Sequence, residues 1–112
     1  MDTTERKQKV SATEKRYAKY LGKLYWERDS EYKSDIQKYL MTYRLCMVID
    51  VRRRTYGNRF MLTVQRLEGD GKEMWKQEAA RFARLESNGG FVLLDKANPV
   101  RPASYMSDSW RG

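Results

Sequence analysis

Arg52-Arg53-Arg54, with Arg59 five positions further on, brackets the corner Tyr56-Gly57-Asn58. With Gly57 and Asn58 in a two-residue hairpin turn, these four guanidinium groups crowd round the Tyr56 ring. Arg forks match phosphate oxygens and guanine edges, Asn58 suits adenine, and Tyr56 suits an unpaired base. A hairpin fits a major groove or lies along a phosphate backbone. Charge on a hairpin also serves to stop strand-to-strand aggregation, but three consecutive arginines with a fourth across the turn exceed that need. Lys15, Arg16, Lys19 and Lys23 would extend the basic surface from a preceding helix.

Catalytic groups are scarce. With no histidine, the chain has neither Ser-His-Asp nor Cys-His machinery, and one cysteine excludes a Cys-rich zinc site. The glycines of Leu-Glu-Gly-Asp-Gly-Lys, residues 67–72, lack the spacing of a phosphate loop. One arrangement suggests a Mg²⁺-dependent nuclease: Asp50 across from Gln65 and near Glu68, an acid beside a Glu/Gln-x-Lys pattern. The second half reads Gln65-Arg66-Leu67, without the lysine, and an Asp50–Arg52 or Asp50–Arg54 surface pair explains the same residues. The expectation is a non-enzymatic protein with no metal and no cofactor, in which Cys46 is a small apolar residue.

The elements that must position the arginines follow from periodicity. Two apolar runs over residues 43–67 flank the corner and alternate in direction. The turn sets a register of Thr55 with Phe60, Arg53 with Leu62, Val51 with Val64 and Ile49 with Arg66. One face then collects Leu45, Met47, Ile49, Val51, Phe60, Leu62 and Val64, and the other holds Cys46, Val48, Asp50, Arg52, Arg54, Met61, Thr63, Gln65 and Leu67. Before the hairpin, Ser11-Ala-Thr-Glu14 reads as a capping box, and Tyr17, Tyr20, Leu21, Leu24 and Tyr25 form a helical core stripe. A second helix is expected over 34–41, in competition with a strand that begins near Tyr39. A third follows over 72–86, with Trp75, Ala79, Phe82 and Ala83 buried, and Asn88-Gly89-Gly90 ends it. Phe91-Val-Leu-Leu94 reads as a short central strand. The fold expected is α+β: N-terminal helices, then hairpin–helix–strand making a small three-stranded sheet of order 2-1-3 with the helices on one face.

At 112 residues and 40% apolar composition the chain suits a single core. We read residues 1–10 as a flexible start, 11–100 as one domain and 101–112 as a tail, either disordered or docked through Tyr105, Met106 and Trp110. No apolar run is long enough to cross a bilayer, the N-terminus has no secretory pattern, and cytoplasm is the default location. The net charge of +8 is concentrated in the hairpin and the N-terminal third. It points to nucleic acid, anionic membrane or an acidic protein as partner, or to solubility alone. Two functions suit these features: a nucleic-acid-binding module whose hairpin tip clamps a backbone, or a protein-binding inhibitor or adaptor, of the kind phages and mobile elements encode. The second would block an acidic or nucleic-acid-handling surface, with Tyr, Trp and Arg as anchors.

Overall fold

A computed structural model describes residues 12–54 and 59–110. In chain order these form α1 (Ala12–Ala18), β1 (Leu24–Lys33), β2 (Lys38–Arg53), β3 (Phe60–Arg66), β4 (Met74–Glu78), α2 (Ala79–Ser87), β5 (Phe91–Leu93) and β6 (Tyr105–Ser107). The strands make one six-stranded antiparallel sheet of order β4-β3-β2-β1-β5, and β6 pairs with β2. The expected three-stranded sheet behind N-terminal helices is therefore wrong. Of the three expected helices, the first survives only as Ala12–Ala18, the second is a turn followed by the start of β2, and the third begins only at Ala79, after β4.

The first helix stops at Ala18 because the chain turns at Gly22, whose φ of 76° is in the left-handed region that glycine adopts without strain. The Gly22 N–H then donates to the Val48 carbonyl at 2.8 Å, and Val48 N–H to the Lys23 carbonyl at 3.1 Å. Tyr25, assigned by spacing to the helix, becomes the second residue of β1. Residues 34–37, read as the cap of a second helix, are instead the loop of a long hairpin, with Gln37 at φ 53°. Helical spacing there was a coincidence of that hairpin. Tyr32 and Tyr39 lie directly opposite each other, ring centroids 5.1 Å apart. The strand reading of Tyr39, Met41 and Tyr43 is the one the fold adopts.

The register at the tip also differs. Arg53 pairs with Phe60, Arg52 with Met61, Val51 with Leu62 and Asp50 with Thr63, then the ladder shifts so that Val48 faces Val64 and Cys46 faces Arg66. A shift of two at the tip leaves each side chain on its expected face. The bulge at Ile49 does not: it adds one residue to β2 and inverts the facing below it. Cys46 and Val48 thus join Phe60, Leu62 and Val64 in the core, where Leu45, Met47 and Ile49 were expected.

β4 forms because the Glu73 carbonyl accepts from Arg66 N–H at 2.8 Å and the following residues pair with β3, so the helix expected from 72 begins only at Ala79. Its apolar residues still pack as a stripe: Ala79 and Phe82 are fully buried, and Phe82 meets Tyr25 at 5.0 Å and Phe91 at 4.3 Å. Gly89, at φ 88°, reverses the chain, and a Cβ on Gly90 would come within 3.1 Å of the Leu85 side chain. β5, expected to be central, is an edge strand beside β1, buried mainly through Phe91. Tyr17 and Tyr20 complete one aromatic core beneath the two helices. The segment after β5 is docked: β6 pairs with Tyr39, Leu40 and Met41 of β2. Between β3 and β6 the edge of β2 is completed by side chains. Glu68 accepts from Leu45 N–H at 2.9 Å, and Arg101 donates to the Tyr43 carbonyl at 3.2 Å and is itself bound to Glu68.

Candidate nucleic-acid interface

Directly paired residues of antiparallel strands point to the same side of the sheet. The pairs Arg52–Met61, Asp50–Thr63, Thr63–Lys76 and Met61–Glu78 therefore share the face of β2, β3 and β4 opposite the helices. Here lies an open groove of about 740 Å³ lined by Asp50, Arg52, Arg54, Arg59, Thr63 and Lys76, together with Arg53 and Met61. Arg52 lies 2.6 Å from Asp50 with its side chain 81% exposed, and Arg59 lies 3.3 Å from Glu78. Arg54 and Lys76 are exposed and make no ion pair with any described residue. Backbone pairing holds the cluster together, since Arg54 N–H donates to the Arg59 carbonyl at 2.8 Å.

The four tip arginines divide between two sides. Arg53 points toward the helices: its guanidinium is 5.9 Å from the Phe60 ring centroid and 3.9 Å from Glu14 of α1. Arg16 and Lys19 lie over the Tyr17 and Tyr20 rings on that same side, and Lys15 and Lys23 are exposed nearby in sequence. The N-terminal cations thus continue the Arg53 side and are not brought into the groove. Tyr56 and Asn58 lie outside the described residues, as do the turn around Gly57 and the N-terminal segment through Ser11. Lys76 escaped the sequence reading because residues 72–86 were read as helix. The alternation of Met74, Lys76 and Glu78 against Trp75 and Gln77 was the available signal.

The acid–amide arrangement suggestive of a nuclease is not assembled. The register places Asp50 opposite Thr63 and Gln65 opposite Met47, Gln65 donates to the Gly71 carbonyl, and Glu68 is held in the β2 edge. Among the described residues no three Cys, Asp or Glu side chains are grouped to hold a metal. Burial disfavours ionisation of Glu68, but the Leu45 N–H and the Arg101 guanidinium outweigh it and keep the carboxyl below its ordinary range. No helix among the described residues is long and apolar enough to cross a membrane.

On the helix side a second arginine is placed very differently. Arg66, opposite Cys46, reaches Glu73 at 2.7 Å and Glu27 at 2.9 Å, and its guanidinium lies 5.7 Å from the Trp75 ring centroid. Burial raises the Glu27 carboxyl and Arg66 only partly offsets it; the Cys46 thiol is pushed up to about 12, chiefly by burial. No family model, curated protein or solved structure is similar to this chain.

Proposed function

We propose that the protein is a small, non-enzymatic nucleic-acid-binding module that grips a phosphate backbone in the groove of β2, β3 and β4. The observation that supports this most is the grouping of Arg52, Arg54, Arg59 and Lys76 on one uncovered sheet face, two of them without a carboxylate partner among the described residues. Guanidinium groups fixed on paired strands lose little further freedom on meeting phosphates, and a cluster of one sign draws polyanions from a distance. Asp50 and Glu78 temper the cluster and hold Arg52 and Arg59 in place.

The test is a titration of fluorescent oligonucleotides at several salt concentrations. Affinity should fall steeply with salt, by about 0.9 in log K per log unit of salt for each phosphate neutralised on duplex DNA. Absence of binding to any DNA or RNA at low salt would sink the reading. Capture of one acidic protein, lost in the same arginine variants, would then make the groove a docking surface for protein.

A further inference from the structure

The phosphate-binding groove does not end on the open face. Met61 and Lys76 also line a second depression, of about 700 Å³, which continues past Gln77, Arg81 and Arg84 to Arg28 and Trp110. Trp75 and Lys76 are successive residues of β4, so their side chains leave opposite faces of the sheet, yet both line this second groove. The path therefore turns round the outer edge of the sheet, from the open face to the side that carries α2. Arg81 and Arg84, on the exposed side of α2, make no ion pair with a described residue. The carboxylates on this wall are already engaged: Glu27 with Arg66 at 2.9 Å, Glu78 with Arg59 at 3.3 Å and Asp29 with Arg44 at 3.7 Å. At the far end the Trp110 ring is 58% exposed beside Arg84 and Leu85.

We propose that the two grooves form one site for a single strand of nucleic acid, running from Arg52 and Arg54 round the β4 edge at Lys76 to Arg81, Arg84 and Trp110. The proposal rests on the nucleic-acid reading above and adds the substrate class and a second half of the site. A duplex stays straight over about 150 base pairs and cannot turn round the edge of a five-residue strand, whereas a single strand bends freely. Duplex also keeps its bases stacked on one another, so an exposed indole at the end of a cationic path recognises only unpaired bases. The ribose and deoxyribose strands share this chemistry.

The experiment is a polarisation titration of the full chain with labelled ~12-nucleotide oligo-dT and oligo-U, a length within the usual single-strand site sizes, and with a duplex of equal phosphate number. Single strands are expected to bind at least ~10-fold more tightly than duplex. Trp110→Ala, and Arg81→Ala with Arg84→Ala, should each weaken single-strand binding ~10-fold and leave duplex binding unchanged, while Trp110→Phe restores most of the loss. A preference for one oligomer over the other distinguishes RNA from DNA, and either supports the site. Equal or tighter duplex binding, or no effect of these variants while Arg52→Ala with Arg54→Ala still weakens binding, overturns the path and leaves the tip groove standing. If no oligonucleotide binds at all, the path and the nucleic-acid reading fall together.

Discussion

Arg66 and Arg52 sit on the same β-hairpin, on opposite faces, and live in opposite surroundings. The Arg66 side chain is 21% exposed and meets Glu27 and Glu73 within 2.9 Å, with an indole against it; the Arg52 side chain is 81% exposed and meets one carboxylate. Arg66 is committed to the fold. Its Nε is buried without a hydrogen-bond partner among the described residues, which marks how closely β1, β3 and β4 close round it. Arg54 and Lys76 leave their donor groups turned to solvent, as does the part of the Arg52 guanidinium that Asp50 does not hold, and a phosphate could replace that water at little cost. A count of arginines cannot separate these roles; the facing set by strand pairing can.

The sharpest way to break the comparison is to remove one arginine from each side. Arg66→Ala should cost about 3 kcal/mol in urea unfolding, because it strands partly buried carboxylates without their cation. Pairing Arg66→Met with Glu27→Leu should recover most of that loss, since the carboxylate no longer needs a partner. Arg52→Ala with Arg54→Ala should move stability by only about 0.5 kcal/mol per site, as exposed substitutions do. The same pair should lower the salt slope of binding by up to about two units on duplex DNA. A large stability loss from the tip pair would show that those arginines also belong to the fold.

Asp50→Asn sharpens the contrast from the other direction. It frees Arg52 and removes a negative charge from the groove, so oligonucleotide affinity should rise by about three- to tenfold at low salt, an effect of about 1 kcal/mol for a charge near a surface. Unchanged affinity would mean that phosphates do not approach Arg52. The acid limb of the stability curve tests Glu68. Its carboxyl is held below its ordinary 4.5, so its contribution is intact above that value and is lost as pH falls through the folded pKa. Glu68→Gln should therefore lose less stability between neutral pH and pH 3 than the parent, by denaturant titration at each pH. The smallest effect concerns Cys46: fully buried and with its thiol pushed up to about 12, it should react with a thiol reagent only after unfolding.

The β2–β3 hairpin was legible from the alternation of its strands, although the register drawn from a two-residue turn was off by two, and Leu62, Val64 and Phe82 are buried in one core as the pattern implied, with Val51 packed against it. The bulge at Ile49 was not legible, since nothing in an apolar run from Leu45 to Ile49 says which residue the ladder will omit. β1 was lost for a different reason. Its outer half, from Ser30 to Tyr32, is exposed on both faces, so Trp-Glu-Arg-Asp-Ser-Glu-Tyr carries no burial alternation to read. At β4, the apolar residues that continue into α2 made strand and helix look like one amphipathic segment. The basic site was thus half visible: Arg52, Arg54 and Arg59 from spacing, Lys76 and the α2 arginines only from the fold.

Past the Leu67 N–H bond to the Leu45 carbonyl, the edge of β2 between β3 and β6 is joined by side chains, the Glu68 carboxylate and the Arg101 guanidinium. Side-chain bonds at an exposed seam open more readily than a ladder, and partners separated far along the chain meet late in folding. The C-terminal segment is therefore expected to open as a flap separately from the β1–β5 body, the two sharing β2. Amide hydrogens of Tyr39 and Met41 should exchange through flap opening, well before those of Val48 and Leu62, whose release requires global unfolding. Trp110 travels with the flap. If the proposed path binds single strands, its apparent affinity should scale with the fraction of molecules in which the C-terminal segment is docked.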